Sequence, residues 1–217
     1  MNALNSANLL YDFVESERLK HIDERMLVLI GGCSRSGKST VALKLSKKFS
    51  DRNIPSQIIN LDAWLISIEK RKDNSTVLER YDCEAIEKSV EDLLKGFTIM
   101  PPVYDFRTRR RVSETGGNPI TLSSGILIAE GVVALALENL CKRASIKIFV
   151  DISDIVRLKR LMDFYYESKF LSYNESKTII NEREAEEVPF VKSTAKYADL
   201  IGRFAEEGVY GILETVL

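Results

Sequence analysis

Histidine is almost missing from this 217-residue chain, and the single one, His21, stands well ahead of the glycine-rich loop described below. Proton transfer therefore falls to carboxylates, lysine, arginine and tyrosine. Cysteine is scarce too: Cys33, Cys83 and Cys141 stand singly without C-x-x-C spacing, which argues against a zinc site or a disulfide framework. A reducing, cytoplasmic setting is expected. Neither charge sign is in excess. With 31 Lys plus Arg against 32 Asp plus Glu, no global field would hold the chain on nucleic acid or an anionic membrane, so charge recognition has to be local. A long apolar run is also wanting. The first 25 residues mix Leu9, Leu10, Phe13 and Val14 with acids and bases, which reads as an amphipathic helix instead of a signal peptide or membrane span. No repeat, low-complexity tract or linker marks a boundary, and the length suits one well-buried core, so a single domain over 1–217 is expected.

What is present is an alternation. Apolar runs at 26–30, 57–61, 126–129 and 146–150 have the length and β-branched content of buried strands. Between them, Val41, Leu45 and Phe49 share a helical face, as do Ile86, Val90 and Leu93, then Ile155, Leu158 and Met162. Strands alternating with helices give an α/β fold, a parallel sheet flanked by helices, with ligands at the strand C-termini. The middle breaks the rhythm: 96–122 carries Pro101, Pro102, Gly116, Gly117 and Pro119 around an arginine cluster and reads as a hairpin-like excursion lining an acceptor pocket. The charged stretch 174–187 is expected to be helical and part of a lid at about 157–187, with Pro189 as its stop. Near the C-terminus, Val209, Ile212, Leu213 and Leu217 fall at roughly helical spacing. That segment is expected to cover the sheet, with a partner subunit in a homo-oligomer as the alternative.

The sharpest signal is GCSRSGKST at 32–40, between a strand reading MLVLIG and a helix starting near Lys38. Gly32, Gly37, Lys38 and Ser39 satisfy G-x-x-x-x-G-K-S/T, the phosphate loop of P-loop NTPase folds. Glycines let the backbone curl so that the N–H groups of Gly32, Cys33, Ser34, Arg35, Ser36 and Gly37 cradle phosphates, aided by the helix N-terminus. Lys38 is expected to neutralise the β- and γ-phosphates of ATP, Ser39 to place its hydroxyl on Mg²⁺, and Thr40 to pack or cap behind it.

Two acids follow strands and should emerge on the same edge. Glu130 follows ILIA and is expected to act on Mg²⁺ or its water shell; the structural alternative is a cap for a helix after Gly131. Asp62 follows IINL and is the candidate base for an acceptor hydroxyl; the structural alternative is an N-cap for a helix from Ala63.

With these residues in place, the chain resembles the uridine kinase and phosphoribulokinase group of P-loop kinases over roughly residues 27–201. GCSRSGKST looks like the family phosphate loop, LDAW like its catalytic Asp segment, and YDCEAIE like its substrate-sugar Asp segment. PPVYDFRTRR looks like its acceptor loop, ILIAEGVVAL like its Walker-B-like strand, and KYADLI like its last core strand. The resemblance implies Asp62 as base, and Asp82 and Tyr104 as substrate contacts.

Two departures bear on function. Uridine and cytidine kinases usually carry a histidine shortly after the YDF segment, where this chain has Arg109 within Arg107, Thr108, Arg109, Arg110 and Arg111. A guanidinium favours a carboxylate or phosphate over a neutral base edge, although a solvated basic loop is the plain alternative. The lid segment RLKRLMDFYYESKF keeps only Arg157, Lys159, Arg160 and Lys169 of an arginine-rich pattern. Arg160 is the candidate for stabilising the transferred phosphoryl charge, while Arg157 is placed to pair with Asp154 on the same helix turn.

The expected activity is ATP-dependent transfer of the γ-phosphate to a hydroxyl of a small molecule, uridine/cytidine kinase-like. The acceptor alternative is an anionic sugar phosphate or hydroxy acid. An alternative of another class is an ATP-binding regulatory module without kinase activity. No nucleic-acid or membrane partner is expected, because no wider basic stripe or stacking set accompanies the arginine run.

Overall fold

Strands β1 (Met26–Gly31) and β5 (Ile126–Glu130) are buried at every position, as near-continuous apolar runs must be when both faces of a sheet are covered. The computed structural model describes residues 3–20, 25–168, 172–204 and 210–215. With β2 (Ser56–Asn60), β6 (Ile146–Ile152), β7 (Leu200–Phe204) and β8 (Tyr210–Thr215), these strands form a six-stranded sheet of order β2-β5-β1-β6-β7-β8. The first five are parallel and β8 runs antiparallel to β7.

Alternate residues of the strands feed two cores. Helices α1 (Ala3–Arg18) and α2 (Lys38–Ser50) cover one face, where Leu10, Val14, Val41 and Leu45 meet Val28, Ile30, Ile128 and Ile148. Tyr11 and Phe49 stack at 4.8 Å between ring centroids, and Phe49 is fully buried. Phe49→Ala is expected to cost about 3–5 kcal/mol in lost burial and cavity formation. The other face takes α3 (Cys83–Lys95), α4 (Glu138–Arg143) and the end of α6 (Tyr173–Ser193), with Ile86, Val90, Leu93 and Val191 against Leu27, Leu29 and Leu127. Among the described residues, no helix is long and apolar enough to cross a membrane.

Hairpin β3 (Val103–Asp105) and β4 (Arg110–Ser113) forms a separate two-stranded sheet, so the excursion at 96–122 is a hairpin in fact. Helix α5 (Asp154–Asp163) runs through a π-helical turn, Phe164–Ser168, toward α6. Leu161, Tyr165 and Ile180 make a small core of their own there.

Several local expectations give way to competing physics. The C-terminal segment is strand and not helix over Tyr210–Thr215: pairing with β7 satisfies an otherwise open sheet edge. Val209 and Leu217 lie outside the described residues, as do His21 and Lys169. Pro189 does not stop α6, which runs on to Ser193. One missing N–H is tolerated where Val188 and Val191 on either side are buried in the core. The face of α5 is also rotated: Ile155 is 80% exposed, whereas Arg157 and Leu161 are buried, because Arg157 is held by two carboxylates, Asp154 and Glu184, at the edge of the buried face. Asn60, not Asp62, caps the short 3-10 turn Leu61–Trp64, accepting from the Asp62 N–H at 2.8 Å. The chain after Gly131 makes turns until α4 begins at Glu138, so Glu130 caps no helix there.

Candidate active site

The phosphate loop is shaped by two glycines. Gly32 has φ +143°, and a Cβ there would fall 2.4 Å from the Val150 carbonyl oxygen; Gly37 has φ +105°. Both conformations are open to glycine and strained for other residues. Gly37 also opens α2 without a side-chain cap, which leaves the first N–H groups of the helix free for an anion. Buried Lys38 lies inside the curl, its ammonium donating to the Cys33 carbonyl at 3.0 Å. The Ser36 hydroxyl is buried without a hydrogen-bond partner among the described residues. These are features of a cradle shaped for a ligand that brings acceptors. Burial pushes the Cys33 thiol up, against the pull of Arg157 and Lys38, so Cys33 contributes its carbonyl and packing and not a thiolate.

Strand register brings the acids to this loop. Ile30 and Asn60 both pair with Glu130, so the ends of three strands lie level and Asp62 stands two residues past its own. The Ser39 hydroxyl donates to Oε1 of Glu130 at 2.9 Å. Burial pushes the Glu130 carboxyl up, Lys38 draws it down, Asp62 raises it, and the Ser39 bond lowers it. The net result is a carboxylate short of positive charge, as expected of a group placed to meet a cation. Asp62 is half-buried and accepts from the Tyr81 hydroxyl at 3.0 Å on Oδ1. Burial, then the Asp62 charge, pushes Tyr81 well above the usual phenol range, so it stays a donor.

These groups line one open cleft of about 1240 Å³. The loop lines it from Ser34 to Thr40, whereas Gly32 and Cys33 do not line it; Arg35, at φ +64°, lays its guanidinium 3.6 Å from the Phe164 ring centroid. Tyr104 and Arg109 line the cleft from the hairpin, but Asp82 does not. Asp82 caps α3 through the Ala85 N–H and pairs with Arg111 at 3.3 Å, and Arg111 in turn donates to the Trp64 and Leu65 carbonyls. The arginine run is thereby sorted: Arg111 is structural, Arg110 faces Glu69 at 3.6 Å, and Arg109 reaches the cleft.

On the lid side, Arg160 lines the cleft, and its Nη1 lies 3.9 Å from where a Cβ on Gly37 would sit. Arg157 is buried against Asp154 at 3.3 Å and Glu184 at 2.5 Å. The expected pair with Asp154 therefore forms, with a second acid added. Arg183 of α6 donates to Glu187 and to the Tyr165 hydroxyl at 2.9 Å; sequence reading passed over it, as it did Arg71 and Tyr81. All three line the cleft.

Comparison with known proteins places the chain in a family. The profile of the Phosphoribulokinase / Uridine kinase family matches residues 27–207. The chain belongs to this family. It is, in class, a small-molecule kinase. A uridine kinase from Clostridium novyi (strain NT) is 31% identical over 186 residues, covering 81% of this chain and 86% of that protein. One from Latilactobacillus sakei subsp. sakei (strain 23K) is 28% identical over 185 residues, covering 81% and 84%. In three dimensions, the D-glycerate 3-kinase from Cryptococcus neoformans var. grubii serotype A superposes with a TM-score of 0.71. It covers 97% of this chain and 99% of that one at 8% identity, a likeness of fold alone.

Proposed function

We propose that this kinase transfers the γ-phosphoryl group of ATP to a hydroxyl of a small-molecule acceptor, in the manner of uridine and cytidine kinases. The observation that carries the reading is the 2.9 Å contact of Ser39 with buried Glu130, at the same strand edge as Asp62. A hydroxyl and a carboxylate placed together beside a phosphate cradle suit Mg²⁺, which keeps most of its shell as water and phosphate oxygen. When bound, Mg²⁺ would neutralise phosphate charge; Ser39 and Glu130 would hold it.

The chain's own groups divide the remaining work. Gly32, Cys33, Ser34, Arg35, Ser36, Gly37 and Thr40 wrap the phosphates with backbone donors, and Lys38 faces the β- and γ-phosphates. Asp62 accepts the proton of the acceptor hydroxyl as its oxygen bonds to the γ-phosphorus and the bond to the β–γ bridging oxygen breaks, leaving ADP. Arg160, beside Gly37, offsets charge on the group in flight. Tyr104 and Arg109 meet the acceptor, and Asp82 acts on it by fixing Arg111 and the wall of the cleft. In this reading residues 1–217 work as one unit: 96–122 holds the acceptor and about 157–187 closes over the nucleotide, excluding water.

The test is phosphorus NMR of the purified protein with Mg-ATP and a panel of nucleosides, sugars, sugar phosphates and hydroxy acids. A new phosphate ester formed with stoichiometric ADP supports the reading. ATP binding without any ester across the panel would instead favour a nucleotide-dependent regulatory module.

A further inference from the structure

The cleft is lined by more guanidinium groups than phosphoryl transfer to a neutral molecule calls for. Arg80 is paired with Glu186 and Arg183 with Glu187. Arg160 lies beside Gly37, and Arg35 on the Phe164 ring, so both belong with the nucleotide. Arg71 and Arg109 are left, both lining the cleft and neither with a carboxylate partner among the described residues.

These two are held in place together. Arg71 is half-buried and spends Nε on the Ile66 carbonyl at 2.8 Å and Nη2 on the Tyr104 hydroxyl at 3.0 Å. The Tyr104 oxygen is thus an acceptor toward Arg71, which frees its own proton to be donated to a ligand. Arg109 sits at the hairpin turn with φ +60°, a conformation uncommon outside glycine, asparagine and aspartate. Its carbonyl accepts from the Ile68 N–H at 3.0 Å, and the Ile68 carbonyl accepts from the Arg71 N–H at 3.2 Å. One short backbone relay therefore ties both arginines to the same loop. Lys72 and Asp73, next along that loop, are exposed and offset each other in charge. Burial pushes the Arg71 guanidinium down and the nearby Arg109 charge pushes it further, with Tyr104 opposing. Burial likewise raises Tyr104, while Arg71 and Arg109 draw it down.

Two like charges held near each other with no carboxylate counter-ion among the described residues, beside a free phenolic proton, make a receptor lacking only its anion. We propose that the acceptor carries a compact oxyanion, a carboxylate or a phosphate, which Arg71, Arg109 and the Tyr104 hydroxyl receive on the hairpin side of the cleft. The proposal rests on the kinase reading for the reaction, but the anion site itself does not require it. A neutral pyrimidine edge would use such a site poorly, since guanidinium groups only donate and are best met by charged acceptors.

The experiment compares acceptors that differ by the anion alone: glycerol against glycerate, and ribose against ribose 5-phosphate, with uridine alongside. Ester formation is followed by phosphorus NMR with Mg-ATP. Wild type is set beside Arg109→Asn, which suits the left-handed backbone at that position, and Arg71→Lys, which keeps a charge but loses the fork. The expected result is that one anionic member exceeds its neutral partner in kcat/KM by about tenfold or more. Its KM should rise about tenfold in Arg109→Asn, with the KM for ATP within about twofold of wild type, as loss of one charge-assisted contact requires. Glycerate and ribose 5-phosphate separate the carboxylate from the phosphate source. Efficient phosphorylation of uridine with no response to Arg109→Asn would overturn the proposal. If no ester forms, calorimetric titration of glycerate and ribose 5-phosphate into the protein with a non-hydrolysable ATP analogue decides. Arg109-dependent binding would uphold the anion site while defeating the kinase reading, and its absence for both anions would overturn the site.

Discussion

The hydroxyl of Tyr81 donates to Oδ1 of Asp62 at 3.0 Å from a buried position, which fixes the carboxylate and leaves its other oxygen for a substrate. Tyr81→Phe removes one hydrogen bond to a charged group, worth enough to lower kcat by about tenfold. Steady-state rates on both proteins check this, with the KM for ATP expected to stay unchanged. An unchanged kcat would mean that Tyr81 only packs.

Glu130 gives a prediction in which stability and activity part company. Its folded-state pKa is raised above the ordinary carboxylate value, chiefly by burial. Its contribution to stability is thus fully present below that ordinary value and is lost as pH rises through the raised one. In the absence of nucleotide and metal, Glu130→Gln should therefore melt above wild type at neutral pH, with the gap closing as the solution is made acidic. Activity should fall by about a hundredfold or more, as when a charge-stabilising group is removed from a reaction centre. Thermal melts from acid to neutral pH, run beside initial rates, read both effects.

Arg183 and Glu187 form an ion pair in which the acid is nearly buried, its side chain 8% exposed. Arg183→Ala leaves that carboxylate without its partner and should cost about 3 kcal/mol, the lower end for a broken buried pair. The double variant Arg183→Ala/Glu187→Gln should recover much of the loss. Denaturant unfolding of the three proteins measures the coupling, and additive effects would show the pair to be independent.

Much of this site was legible because its signals are local or follow from strand ends. The spacing of Gly32, Gly37, Lys38 and Ser39 needs only a strand before and a helix after. Asp62 and Glu130 could be placed together because each lies at or just past the end of a parallel strand, and the register sets Glu130 level with Asn60, two residues before Asp62. Arg71, Tyr81 and Arg183 were not legible: they reach the cleft from an irregular loop, from the residue after a 3-10 turn and from a helix whose polar face carries many other charges. No periodicity distinguishes them from solvated residues. The face of α5 was misjudged for a related reason, since burying Arg157 depends on Asp154 and on Glu184 from a different helix. The strand at Tyr210–Thr215 answers to an open sheet edge, which helical spacing of side chains could not reveal.

The most direct measurement is the single-turnover rate of phosphate-ester formation in Asp62→Asn against wild type, with ATP affinity measured on the same samples. A general base in phosphoryl transfer predicts a fall of about a hundredfold to ten-thousandfold with ATP affinity unchanged. A rate within about threefold of wild type, beyond the reach of any lost catalytic base, would contradict the assignment of Asp62 and the reaction built around it.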